Sequence, residues 1–196
     1  MNKRAVAIHR KTKETDVRVE LNLDGRGKCK LDTQIGFLNH MLELFAFHGK
    51  FDLKIEARGD LDVDIHHTNE DIGIALGEAF DKALKDKRGI KRFGNFYVPM
   101  EEALVRVVLD ISGRPSLHIS KAVKIASRAD YKFSDCKHFM EGFIRKAGIN
   151  LHMDILKGED LHHIIEAIFK ALAKSLRMAV DIDSKNKNIP STKGKL

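Results

Sequence analysis

Residues 59–70 read Gly59-Asp60-Leu61-Asp62-Val63-Asp64-Ile65-His66-His67-Thr68-Asn69-Glu70, and residues 158–166 read Gly158-Glu159-Asp160-Leu161-His162-His163-Ile164-Ile165-Glu166. Each stretch turns at a glycine with acidic neighbours and ends in His-His-x-x-Glu. The likeness extends upstream. Phe51-Asp52-Leu53-Lys54-Ile55 and Leu151-His152-Met153-Asp154-Ile155 both alternate apolar and polar residues, as half-buried strands do. Before these come two apolar-periodic stretches, one opening at Asn39-His40-Met41-Leu42 and closing at His48-Gly49, the other running from His138-Phe139-Met140 to Ala147-Gly148. His40 precedes His66 by 26 residues, and His138 precedes His162 by 24. Matched elements at matched spacing are the mark of an internal duplication, which has to be recognised before the fold is assigned.

The pattern around the repeat predicts the secondary structure. Val17, Val19, Leu21 and Leu23 alternate with polar residues and predict a strand, Asp24-Gly25 predicts a hairpin, and a second strand is expected to run to about Thr33. Ile72, Ala75, Leu76, Ala79, Phe80 and Ala83 fall on one face of a helix over 66–85. Ile164, Ile165, Ile168, Leu172, Leu176 and Ala179 do the same over 162–180. Tyr97-Val98 and Ala103 to Ile111 predict a strand pair. Each half then reads strand, strand, helix, strand, helix. The expectation is an α+β protein of two similar half-domains, each a sheet with helices packed on one face. The halves divide near Gly89, into 1–89 and 90–183, with a basic tail over 184–196.

Composition excludes several classes. The chain has 196 residues, 43% hydrophobic and 32% charged, as ordinary globular proteins have. The net charge is +7, but no aromatic residues alternate with the basic ones, so no nucleic-acid partner is expected. No apolar run approaches the roughly 20 residues of a membrane helix, and the first residues lack the apolar core of a secretory signal. Two cysteines, Cys29 and Cys136, make no disulfide framework. A cytoplasmic protein without a membrane partner is expected.

Helix geometry gives the duplicated motif its chemistry. Positions i and i+4 share a face, whereas i+1 points about 100° away. His66 and Glu70 can grip one metal while His67 aims elsewhere; His162, Glu166 and His163 repeat the arrangement. A pseudo-two-fold axis would join His66 and Glu70 with His163, and His162 and Glu166 with His67. His40 and His138 would complete the two sets, and geometry alone does not say which belongs to which. Three imidazoles and one carboxylate leave an octahedral ion such as manganese(II) two open positions, which suits catalysis. A two-metal hydrolase and a metal-bridged structural assembly share this donor set and are the rival readings.

Specific segments then resemble the imidazole-glycerol-phosphate dehydratase family over nearly the whole chain. They are Glu14-Thr15, Thr33 to Leu42, Gly59-Asp60, His66 to Gly77, Gly89 to Gly94, Pro99 to Ala103, Asp110 to Pro115, His138-Phe139, Leu151 to Met153, His162 to Ala171 and Pro190 to Gly194. The resemblance implies removal of water from imidazole glycerol phosphate to give imidazole acetol phosphate in histidine biosynthesis, by way of a metal-stabilised imidazolate. It implies two manganese ions per site and a homo-oligomer of 24 subunits with sites between subunits. One metal would take His40, His67, His162 and Glu166, the other His66, Glu70, His138 and His163; Glu14 and the six residues of the two His-His-x-x-Glu motifs (His66, His67, Glu70, His162, His163 and Glu166) would be catalytic. Glu14 matches the acid/base position, where proton transfer needs a placed carboxylate. Arg92 and Arg114 match phosphate-binding arginines, whose forked donors suit phosphate oxygens. Ser191, Thr192 and Lys193 match further phosphate contacts, and Lys170 and His48 are additional candidates for substrate contact. Two positions depart from the family pattern. Asn39 stands where aspartate is usual and would orient the neighbouring imidazole, and Gln34 stands where glycine is common.

Overall fold

The computed structural model describes residues 4–122 and 130–196. The first half forms β1 (Ala5–Lys11), β2 (Thr15–Asn22), β3 (Cys29–Asp32), α1 (Gly36–Gly49), β4 (Asp52–Gly59) and α2 (His66–Leu84). The second half repeats the order with β5 (Phe93–Met100), β6 (Ala103–Asp110), β7 (Ser116–Lys121), α3 (Phe133–Ala147), β8 (Asn150–Lys157) and α4 (Leu161–Val180). The two sheets share one topology, β1-β2-β4-β3 and β5-β6-β8-β7. In each, three strands run antiparallel, and the strand before the first helix joins the strand after it in parallel. A parallel neighbour requires a crossover, which α1 and α3 provide.

The apolar faces read from the sequence are the buried ones. Val17, Val19 and Leu21 on β2 and Leu53, Ile55 and Ala57 on β4 turn inward, as do Val105, Val107 and Leu109 on β6 and Leu151, Met153 and Ile155 on β8. Helices lie on these faces and against each other: α2 packs on β1 and β2 and on α3, while α4 packs on β5 and β6 and on α1. The sheets are the outer layers and the helices fill the space between. Phe80 of α2 meets Phe143 of α3 edge to face, ring centres 5.8 Å apart, and Phe139 of α3 lies 5.3 Å from Phe169 of α4. At the α2–α3 crossing Gly142 brings the backbones close: a Cβ there would sit 2.8 Å from the Glu70 carbonyl oxygen and 3.2 Å from the Ile74 nitrogen.

Two expectations need correction. Each half has three strands before its first helix, not two; β1 and β7 do not follow from the alternation. The Asp24-Gly25 turn makes no hairpin either, because β4 lies between β2 and β3. The chain instead passes over the start of β4, where Asp52 Oδ1 accepts the backbone N–H groups of Arg26 (2.8 Å) and Lys28 (3.1 Å). These bonds hold the Asp52 carboxyl below the usual carboxylate range, the Arg26 N–H acting most, against a smaller opposing effect of burial. A Cβ on Gly25 would strike the Asp52 backbone nitrogen and then its carboxyl, so the glycine serves this close passage.

Candidate metal centre and substrate site

The upstream histidines pair crosswise with the motif copies. His40, on α1 of the first half, lies with His162 and Glu166 on α4 of the second. Their ligand atoms are all within 4.8 Å of one another, a spacing suited to a shared cation. The Glu166 Oε2 atom is 3.3 Å from His40 Nε2 and 3.2 Å from His162 Nε2, and Oε1 accepts from Lys170 Nζ at 2.5 Å. Burial works to raise the Glu166 carboxyl, but the Lys170 ammonium and the two imidazoles outweigh it and hold it below the ordinary range. It is therefore an ionised, buried carboxylate.

The second set draws on the same elements with the halves exchanged but converges less closely: among the described residues only His40, His162 and Glu166 hold all their ligand atoms within 4.8 Å of one another. His138 on α3 packs edge-on against His66 on α2, ring centres 4.4 Å apart, and His66 Nε2 is 3.7 Å from Glu70 Oε2. Glu70 Oε1 accepts from Arg145 Nη2 at 2.6 Å. His138 Nδ1 is buried without a hydrogen-bond partner among the described residues, a costly state that a cation would relieve. Imidazole nitrogens with a carboxylate are the donor set of a divalent transition metal, so the residues present fit such an ion.

His67 and His163 join neither cluster of this chain. His67 Nδ1 donates to Asp60 Oδ2 at 2.9 Å and lies 3.8 Å from Glu14 Oε2; His163 Nδ1 donates to Glu102 Oε2 at 2.7 Å. Both imidazoles are raised in pKa by these carboxylates. Glu102 is pulled down to about 2, first by the Asp160 backbone N–H and then by His163. Glu14 sits in the tight β1–β2 turn, whose Thr12 Oγ1 accepts the backbone N–H groups of residues 14 and 15.

The phosphate candidates gather at the other end of α4. Arg92 holds a left-handed backbone (φ 74°) and grips Asp110 through Nε (2.6 Å) and Nη2 (3.0 Å), while Nη1 donates to the Pro190 carbonyl at 2.9 Å. The tail pairs with Gly89 through Asn188, and Leu196 lies against Gly113 beside Arg114. Ser191, Thr192 and Lys193 thus run between the two arginines. Lys170 stands apart from them, on Glu166. His48, in the last turn of α1, is lowered in pKa by burial and then by Lys170 and Lys174. Asn39 does not orient His40: its Oδ1 accepts from Thr33 N (3.1 Å) and Thr33 Oγ1 (2.8 Å). Gln34 is left-handed, φ 63°, which explains a preference for glycine at that turn.

Asp60, Glu102 and Arg145 are site neighbours that the sequence reading did not single out. The repeat carried a signal for one of them. Glu14 precedes Thr15-Asp16-Val17-Arg18-Val19, and Glu102 precedes Ala103-Leu104-Val105-Arg106-Val107. The two glutamates therefore occupy one position of the duplication.

A duplicated α+β sandwich whose imidazoles and carboxylates converge from facing helices has the build of an enzyme. Residues 33–176 match the family model for imidazoleglycerol-phosphate dehydratase. The imidazoleglycerol-phosphate dehydratase of Thermoanaerobacter pseudethanolicus is 53% identical over 191 residues, covering 97% of this chain and 98% of its own; that of Citrifermentans bemidjiense is 48% identical over 193 residues, covering 98% and 99%. The crystal structure of IGPD from Pyrococcus furiosus in complex with (S)-C348 superposes with a TM-score of 0.82 at 39% identity, over 96% of this chain and 100% of that one. The Staphylococcus aureus imidazoleglycerol-phosphate dehydratase does so with a TM-score of 0.81 at 36% identity, over 91% and 99%. The chain belongs to the imidazoleglycerol-phosphate dehydratase family.

Proposed function

We propose that this chain removes water from imidazole glycerol phosphate with two manganese(II) ions per site, in sites completed by neighbouring copies of itself. The observation that carries the reading is the crosswise meeting of each upstream histidine with the other half's His-x-x-x-Glu pair. The first ion would be held by His40, His162 and Glu166, the second by His66, Glu70 and His138. His67 and His163 would supply the fourth ligand of each set from a neighbouring subunit.

Distance supports a shared site. Glu166 and the residue that receives the Arg92 backbone N–H, Ala179, are thirteen residues apart on α4. At about 1.5 Å per residue that is roughly 20 Å. A ring and a phosphate joined through three carbons reach less than half as far, so one chain cannot offer both ends to one substrate. A closed assembly in which one copy brings the metal ligands and another the phosphate contacts removes the conflict. The reading takes that assembly to be the family's 24-subunit particle. The chain is read as halves 1–89 and 90–183 with a tail, 184–196, that serves the phosphate end.

When bound, the metals supply Lewis acidity and favour the deprotonated form of a coordinated imidazole ring. The protein's own groups do the rest. Arg92, Arg114 and the Ser191-Thr192-Lys193 segment hold the phosphate. Lys170 keeps Glu166 ionised and fixed. Glu14, exposed on its turn and beside His67, takes up and returns the proton that leaves carbon. Among the described residues no helix is long and apolar enough to cross a membrane.

The test is consumption of imidazole glycerol phosphate by metal-stripped protein before and after manganese is added. Turnover that appears only with metal supports the reading. Folded protein that stays inactive at every manganese concentration overturns it and leaves the hydrolase alternative, to be checked on phosphate esters.

A further inference from the structure

The duplication supplies an internal control for its own acidic residues. Glu14 and Glu102 hold the same place, the last residue of a hairpin turn before β2 and before β6. Glu102 is fully engaged: Oε1 accepts the backbone N–H groups of Glu159 (3.1 Å) and Asp160 (2.9 Å), and Oε2 accepts His163 Nδ1. Glu14 keeps 3.8 Å from His67 Nδ1 because Asp60 has taken that bond at 2.9 Å. In the second half Glu102 itself takes the bond to the outlying histidine; Asp160 caps α4 by accepting from His162 N at 2.6 Å, as Asp64 caps α2 by accepting from His66 N at 2.7 Å.

We infer that Asp60 and Glu102 are positioning residues, each fixing the tautomer and ring direction of an outlying histidine, and that Asp60 thereby leaves Glu14 uncommitted for proton transfer. The inference rests on the proposed reading that His67 and His163 are metal ligands. An ionised carboxylate can only accept, so the proton of each imidazole stays on Nδ1 and Nε2 is left as the ligating nitrogen. A histidine so held also loses less freedom when a cation arrives. The same acidic position has therefore taken two roles: in the second half it steadies a histidine, and in the first, with Asp60 doing that, it is available for chemistry.

The test measures manganese affinity of the assembled protein, from the electron paramagnetic resonance signal of unbound Mn(II), for D60A, D60N, E102A, E102Q, H67A and H163A. E102A is expected to weaken binding about 10–100-fold, and D60A by less, because Glu14, 3.8 Å from His67 Nδ1, can move in to accept its proton. D60N, whose amide oxygen still accepts the Nδ1–H, is expected to recover most of it; E102Q is not, because its single carbonyl oxygen cannot serve both His163 and the two backbone N–H groups of Glu159 and Asp160. Thermal unfolding of the metal-free proteins separates a merely structural role, which would lower the melting temperature of E102A while leaving its manganese affinity unchanged. At saturating manganese E102A should regain wild-type kcat, whereas D60A should not, because Glu14 then closes on His67. If H67A and H163A bind manganese as the wild type does, the ligand reading itself falls. If they bind weakly while E102A binds normally, the positioning role falls alone. Full recovery of kcat by D60A would overturn the assignment of Asp60 as the residue that frees Glu14.

Discussion

Replacing Gly142 by alanine sets two effects of opposite sign against each other, and the structure says which wins. In an ordinary helix interior the change would stabilise, by up to about 1 kcal/mol, because alanine restricts the unfolded chain. Here the new Cβ would lie 2.8 Å from the Glu70 carbonyl oxygen and 3.2 Å from the Ile74 nitrogen, both backbone atoms of α2 that no side-chain rotation can move. Ordinary contact needs about 3.4 Å, so α2 and α3 must part by roughly 0.6 Å at the crossing, an overpacking worth about 1–3 kcal/mol. The net expectation is a loss of about 1–2 kcal/mol, or roughly 2–8 °C in melting temperature for a chain of this length. The same displacement acts on the proposed second metal set, because Glu70 is at the contact and His138 lies one turn before Gly142 on α3. G142A should therefore also weaken manganese binding. Gly36 at the start of α1 is the control: nothing lies within 4 Å of a Cβ there, so G36A should be neutral or slightly stabilising. Denaturant unfolding at one fixed subunit concentration, to hold assembly constant, reads both variants. A G142A protein as stable as G36A, binding manganese normally, would refute the claim that this crossing is closed to a methyl group.

Asp52 should contribute to stability in a pH-dependent way. Its carboxyl is depressed in the fold, so its contribution is complete above the ordinary carboxylate range and is lost as pH falls through the folded value. D52A should cost about 1 kcal/mol near pH 7, as lost caps do, and the gap to wild type in urea unfolding should close below pH 4. Q34G should raise stability by about 1 kcal/mol, because Gln34 bears a left-handed backbone that glycine adopts without penalty. Equal unfolding midpoints would argue against strain at that turn. N39D should leave manganese affinity within about twofold of wild type, since Asn39 serves Thr33 and an aspartate oxygen would accept the same two bonds. A tenfold change would show that residue 39 does act on His40.

The parts of the fold legible in the sequence were those with a buried face. The strands β2, β4, β6 and β8 show alternation because one side of each is in the core, and α2 and α4 show a helical stripe for the same reason. The edge strands β1 and β7 escaped notice because an edge has little to bury: of the seven residues of β1 only Ile8 is buried, and none of β7 is. The Asp24-Gly25 pair misled because a local turn signal does not reveal which strand lies alongside. The duplicated motif marked the histidines and glutamates that cluster in the fold, but not which histidine accompanies which pair, since that depends on how the halves pack. Asp60 and Arg145 were illegible for a related reason. Each acts on an imidazole or carboxylate brought near only by folding, and neither has a spacing that announces it.

The crosswise pairing of helices has a consequence for how such a chain can arise. Neither half holds a complete cluster, since α1 must meet α4 and α3 must meet α2. A protein of one half could form these clusters only by pairing with a second copy, and its two sites would then be identical by symmetry. Joining the copies into one chain makes the pairing obligatory and releases the sites from sameness. They have used that liberty: the carboxylate of one leans on a lysine, Lys170, and that of the other on an arginine, Arg145. Two clusters of one design can thus be tuned separately.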